Sequence, residues 1–153
     1  MRVWIDADAT PRDVREIVFR ASKRLAFEVV MVANQRMPAP VGNPLVSSVW
    51  VKGGPDEADK HIAEHADPGD VAVTQDIPLA AVLVGKGVHV LGQRGEVYTE
   101  ENVGERLSVR DFMTSLRDNG VQTGGPMPYG NKEKQAFASA LDRTLMAIAK
   151  RGA

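Results

Sequence analysis

The sequence predicts an α/β domain with a mainly parallel sheet of about five strands and helices gathered at its C-terminal end. Three observations carry this. Short apolar runs alternate with segments of helical period over the first 92 residues. The first run, "VWI" leading into Asp6, is apolar throughout rather than alternating, as in a strand covered on both faces. Of the 153 residues, 43% are hydrophobic and 25% charged, which suits a single domain, residues 1–153, that hides roughly 70% of its unfolded surface.

Residues 1–6 form the first strand. Thr10 is placed to cap a helix, Pro11 suits its first position, and Asp13 lies near its positive end. Val14, Ile17, Val18, Ala21 and Leu25 recur at helical spacing, giving an amphipathic helix over 11–25. "FEVVMVAN" (27–34) is the second strand. "QRMPAPVGNP" has no helical period and reads as a loop, which leaves the direction of the third strand, "LVSSVWVK" (45–52), open. "GGPDEADKHIAEHA" turns into a helix, "DVAVTQD" (70–76) is the fourth strand, "IPLAAVLVGKG" a short buried helix, and "VHVLG" (88–92) the fifth strand. After residue 95 the pattern becomes helical. Residues 100–118 carry Val103, Leu107, Phe112, Met113 and Leu116. Residues 131–150 set Phe137, Ala140, Leu141, Leu145 and Ile148 on one side. The C-terminal part, 99–150, is expected to pack on the sheet.

A net charge of −1 gives no global field that would attract nucleic acid or membrane. The absence of cysteine excludes disulfides, thiolate metal sites and thiol nucleophiles. The chain enters a strand at once, and no apolar run approaches the roughly 20 residues of a membrane helix. A cytoplasmic location is expected.

Chemistry concentrates at strand ends. In parallel α/β sheets, ligands bind outside the carboxyl ends of the strands. There the first strand carries Asp6 and Asp8, the third leads through Gly53-Gly54-Pro55 to Asp56 and Asp59, and the fourth ends at Asp76. Asp59 shares a helical stripe with Ala58, Ile62, Ala63 and Ala66, whereas Glu57, Lys60 and Glu64 fall opposite. An acid on a buried face must be neutralised, paired or metal-bound. With no lysine or arginine suitably spaced, the five aspartates point to Mg²⁺ or Mn²⁺, which favour oxygen ligands. Each has a plainer role: Asp76 and Asp56 can cap helices, and Asp8 can sit in an Asx turn.

"WIDADATP", "VAN", "GGPDEADKHI", "GDVAVTQDIPLAAVLVGKG", "RGEVYTEENVGERLSVRDFM", "LRDNGVQTGGP" and "KQAFASALDR" resemble, in order and over nearly the whole chain, the bacterial YaiI/YqxD family. That family is functionally uncharacterised and related to PIN-like nuclease folds. One departure stands out: the usual motif reads Asp-Ala-Asp-Ala-Cys-Pro, and here Thr10 replaces the cysteine. This leaves that position to packing or capping. The resemblance implies a PIN-like three-layer α/β/α sandwich and metal-dependent hydrolysis of nucleic-acid phosphodiesters, RNA in preference to DNA. It maps Asp6 to the acid ending the first strand, Asp8 to its Asp-x-Asp variant, Asp56 and Asp59 to the mid-chain acids, and Thr74 and Asp76 to a later Thr-x-Asp. It implies catalysis by Asp6, Asp8, Asp59 and Asp76, with Thr74 orienting a water or a carboxylate. Asn34, Arg94, Arg106 and Arg110 would contact substrate; their alternatives are a turn cap and solvated surface. A monomer and a homodimer both stay open.

Three rivals remain. "WIDADAT" matches the Asp-x-Asp-x-Thr of haloacid-dehalogenase phosphatases, whose first Asp attacks phosphorus, but Pro11 leaves no room for that family's flap. "HIAEH" (61–65) matches His-x-x-Glu-His, an inverted zinc-protease motif, with Glu64 on the solvent side and no third ligand evident. His89 reads as an ordinary strand residue. A non-catalytic RNA- or protein-binding module would use "QTGGPMPYG", with Tyr129 stacking on a base.

Overall fold

The computed structural model describes residues 1–106 and 128–151. Its strands are β1 (Arg2–Asp6), β2 (Glu28–Ala33), β3 (Val46–Trp50), β4 (Val71–Val73), β5 (His89–Leu91) and β6 (Val97–Tyr98). The helices are α1 (Arg12–Leu25), α2 (Pro55–His65), α3 (Ile77–Gly85), the stretch 100–106 (α4) and α5 (Asn131–Arg151). Among the described residues the strands form one sheet in the order β3-β2-β1-β4-β5-β6, parallel except where β6 runs against β5.

Alternation along the strands makes two cores. Val3 and Ile5 of β1 and Val71 and Val73 of β4 face α1 and α5, joining Val14, Val18, Phe137 and Leu141. Trp4 and Ala72 face the other way, toward Ala58 and Ile62 of α2 and Leu79 and Leu83 of α3. The result is a three-layer α/β/α sandwich with β1 and β4 covered on both sides, as their unbroken apolar runs require. Trp4 brings a polar atom into that interior. Its Nε1 donates to Asp70 Oδ2 at 3.0 Å, while Arg2 N and Asp67 N donate to the same carboxylate.

The third strand runs parallel to β2, with Val29 opposite Val46 and Ala33 opposite Trp50. The loop of residues 34–45 does the work of a crossover helix. Met37 and Ala39 pack on the α1-side core, Asn43 Nδ2 donates to the Phe19 carbonyl, and Ser48 Oγ donates to the Met37 carbonyl.

Two expectations are corrected. The sheet has a sixth strand, β6, where helix was expected to begin; two residues are too few for alternation to show in a sequence. The β5–β6 turn closes through Gly92 N–H to the Glu96 carbonyl, with Gly95 at φ 90°. A Cβ at Gly95 would stand 2.7 Å from the Ala136 carbonyl oxygen of α5, so the close helix approach requires glycine. Second, Thr10 does not cap α1. Residues Ala7–Ala9 form one 3₁₀ turn, Pro11 takes the cap position, and Thr10 Oγ1 donates back to the Asp6 carbonyl at 2.7 Å. α5 sets Phe137, Ala140, Leu141 and Leu145 into the α1-side core. Leu107, Phe112, Met113 and Leu116 lie outside the described residues.

Candidate active site

Strand order fixes where a ligand can bind. From β1 the chain moves outward to β2 and β3, with α1 on one face. From β3 it returns across the sheet to β4, with α2 on the other face. The switch point therefore lies between β1 and β4, and the crevice at their carboxyl ends is where α/β sheets bind ligands. Asp6 is the last residue of β1, and Thr74 follows β4 directly.

The acids meet there. Asp6, Asp8, Asp56, Asp59 and Asp76 line one cavity of about 410 Å³, together with Ala9, Asn34, Gln75 and Ile77. No lysine or arginine lines it among the described residues. Asp56, Asp59 and Asp76 also wall an adjoining groove of about 390 Å³ that reaches Lys60 and Val82 between α2 and α3. A larger hollow of about 610 Å³ lies away from these acids, lined by Gly69, Gly87, Val88, His89, Ile148 and Arg151. It gathers far fewer reactive groups, so chemistry rather than size selects the acidic crevice.

Each acid is held differently. Asp6 is 7% exposed, and its Oδ2 accepts from Thr74 Oγ1 at 3.4 Å. Thr74 Oγ1 also accepts from the Asp76 backbone N–H at 3.1 Å, so one buried hydroxyl ties the ends of β1 and β4 together. Asp76 caps α3: its Oδ1 accepts from Leu79 N at 2.8 Å. Asp8 accepts from the Asn34 backbone N–H and from Gln35 Nε2, which binds the 3₁₀ turn to the end of β2. Gly54, not Asp56, takes the cap position of α2, leaving Asp56 exposed in its first turn. Asp59 is half-buried one turn before the fully covered Ile62, as the helical stripe requires.

Burial and the neighbouring carboxylates both shift their acidities. Burial raises the Asp6 pKa, partly offset by the Thr74 hydrogen bond, and the nearby Asp76 and Asp8 raise it further. Asp59 is pushed up to about 7, first by burial, then by Asp76 and Asp6. A carboxyl group in this state is one that burial has desolvated and that neighbouring negative charge disfavours further. Asn34 adds a buried Oδ1 without a hydrogen-bond partner. The donor set is all oxygen, which fits a hard divalent cation. Among the described residues, no three His, Asp or Glu side chains already enclose a common ion position. The five acids share the lining of one crevice without converging on a single point.

Other predicted residues are engaged elsewhere. Arg94 sits above the Tyr129 ring at 5.8 Å, pairs with Glu133 at 3.7 Å and donates to the Pro128 carbonyl. Tyr129 itself donates to the Gln93 carbonyl at 2.8 Å. Arg106 lies 5.2 Å from the Tyr98 ring centre. Neither arginine lines the acidic cavity, and Arg110 lies outside the described residues. His61 and His65 stack at 4.1 Å on α2, and His65 Nδ1 lies 2.8 Å from the His61 carbonyl oxygen, an arrangement of the helix surface. The phosphatase reading loses its flap: one 3₁₀ turn separates Asp6 from α1. Gln75 was not foreseen: it lines the cavity while its Oε1 accepts from Gln93 N, and its place in "TQD" between two candidates was the available signal.

Comparison with known proteins finds one family of relatives. The family model described as "Uncharacterized BCR, YaiI/YqxD family" matches residues 4–147. A UPF0178 protein of Myxococcus xanthus is 57% identical over 150 residues, 98% of this chain and 97% of that one. The UPF0178 protein of Geobacter sulfurreducens is 52% identical over 152 residues, covering 99% and 100% of the two chains. That of Pseudoalteromonas atlantica is 50% identical over 145 residues, 95% and 98% of the two. No solved structure matches the chain.

Proposed function

The chain belongs to the bacterial YaiI/YqxD family, and from that premise we propose that it is a divalent-metal-dependent phosphodiesterase acting on nucleic acid, with RNA as the expected substrate. One observation carries the reading: five aspartates from three separate chain segments line a single cavity at the switch point, with no basic side chain lining it among the described residues.

Asp6, Asp59 and Asp76 are the residues that would hold Mg²⁺ or Mn²⁺, with Asp8 and Asp56 at the rim. The bound metal would supply an activated water and charge neutralisation at the scissile phosphate. Thr74 keeps Asp6 and Asp76 in fixed relation through its two hydrogen bonds. Asp76 is held further by the first turn of α3. Asp8 locks the β1 and β2 ends together. Asp59 carries a proton through much of the range below pH 7, so loading the site releases protons and strengthens as pH rises.

The test is cleavage of single-stranded RNA and DNA with Mg²⁺, Mn²⁺ or chelator, beside Asp6→Asn and Asp76→Asn. Metal-dependent cleavage lost in both variants supports the reading. Equal activity in all three proteins, or none with either metal, removes it.

A further inference from the structure

We propose that Trp50, with Lys52, is a stacking platform that binds single-stranded nucleic acid beside the acidic cavity. The proposal rests on the phosphodiesterase reading and narrows its substrate to single strands.

Trp50 ends β3, an edge strand, and is 55% exposed. The other tryptophan, Trp4, is 3% exposed. The exposed indole is held in place: its Nε1 donates to the Asn34 carbonyl at 3.2 Å. The same Asn34 gives its backbone N–H to Asp8 and lines the acidic cavity. Trp50 is therefore two hydrogen bonds from the acid wall. Lys52 Nζ stands over the indole ring, 5.4 Å from its centre, so a base stacks on the opposite face or displaces the lysine toward the strand's phosphates.

The chemistry complements the cavity. An all-acid crevice repels a phosphate strand, so strand affinity has to come from its surroundings. A planar aromatic face takes a base of any identity, and a cation beside it takes the backbone. β3 and the residues just after it present both, two positions apart. A duplex keeps its base faces stacked and offers none to an indole, so the platform selects single strands. A lysine just past an edge strand also discourages edge-to-edge pairing with another copy.

The experiment is a titration in EDTA with a short oligouridine, free or in duplex with oligoadenosine. It is read by tryptophan fluorescence and by anisotropy of the labelled strand. Free strand should quench the wild-type fluorescence. Trp50→Leu should weaken binding about tenfold or more, and Trp50→Tyr should restore most of it. Lys52→Met should lower the salt slope by about one. The duplex should bind more weakly than the free strand. Equal binding by wild type and Trp50→Leu overturns the proposal, as does a wild type that binds no strand. So does a wild-type dimer that Trp50→Leu dissociates without changing strand affinity, which would give this face to a second copy. Binding by this platform without any cleavage sinks the phosphodiesterase reading alone; cleavage with Trp50→Leu binding unchanged sinks the platform alone.

Discussion

Replacing Asp59 by Asn should stabilise the metal-free protein, and only at high pH. Asparagine keeps the side chain's shape while removing its charge, so the variant resembles the protonated residue at every pH. The unfolded acid ionises near 3.8, the folded one at about 7. Between these values the folded state keeps a proton that the unfolded state has lost. Wild-type stability therefore falls as pH rises through this window, and the deficit is complete above about pH 7. Taken in full, the displacement corresponds to ~4 kcal/mol. Solvent reaches this half-buried side chain, and screening reduces the effect to about 1–2 kcal/mol. For a chain of this length that is roughly 2–8 °C in melting temperature. The assay is thermal unfolding by circular dichroism in EDTA, at about pH 4 and about pH 8. Asp59→Asn should match wild type at the lower pH and exceed it at the higher. An equal offset at both values, or a less stable variant at the higher, refutes the raised pKa that burial and the neighbouring carboxylates give Asp59.

Three further outcomes follow from named contacts. Thr74→Val removes the hydroxyl that joins Asp6 to the Asp76 backbone. It should lower kcat about tenfold or more with KM little changed, and lower stability by about 1–2 kcal/mol; steady-state cleavage and urea melts check the two. Asp76→Ala loses the α3 cap and about 1 kcal/mol, whereas Asp76→Asn keeps an acceptor for Leu79 N–H; both should lose stabilisation by Mn²⁺, seen as the absence of a metal-dependent rise in Tm. Trp4→Phe strips one donor from the buried Asp70 and should lower stability by about 1–3 kcal/mol, while kcat/KM of the folded protein stays within a few-fold.

What could be read in advance followed the strength of the local signal. β1, β2 and β4 announce themselves as apolar runs because both their faces are covered, and α1 and α5 because one stripe is. Asp59 was legible for the same reason: an acid inside an apolar stripe has to face something. Contacts set by three-dimensional closure were not legible. Thr10 looked like a cap because it precedes a proline, yet a 3₁₀ turn intervenes and its hydroxyl turns back to Asp6. β6 pairs only because the Gly92–Glu96 turn folds it onto β5. The arginines illustrate the same limit. Charge marks Arg94 as a phosphate ligand, but Glu133, brought near by α5, engages it first. Trp50 escaped notice because exposure at a sheet edge depends on strand order, and strand order is a property of the whole chain.

Calorimetric titration of the purified protein with Mn²⁺ at neutral pH, alongside Asp6→Asn and Asp59→Asn, goes straight to the acidic crevice. Saturable binding by wild type, accompanied by proton release and abolished in both variants, is the expected result. Heat no greater than dilution in the wild type, or undiminished binding in both variants, would contradict it.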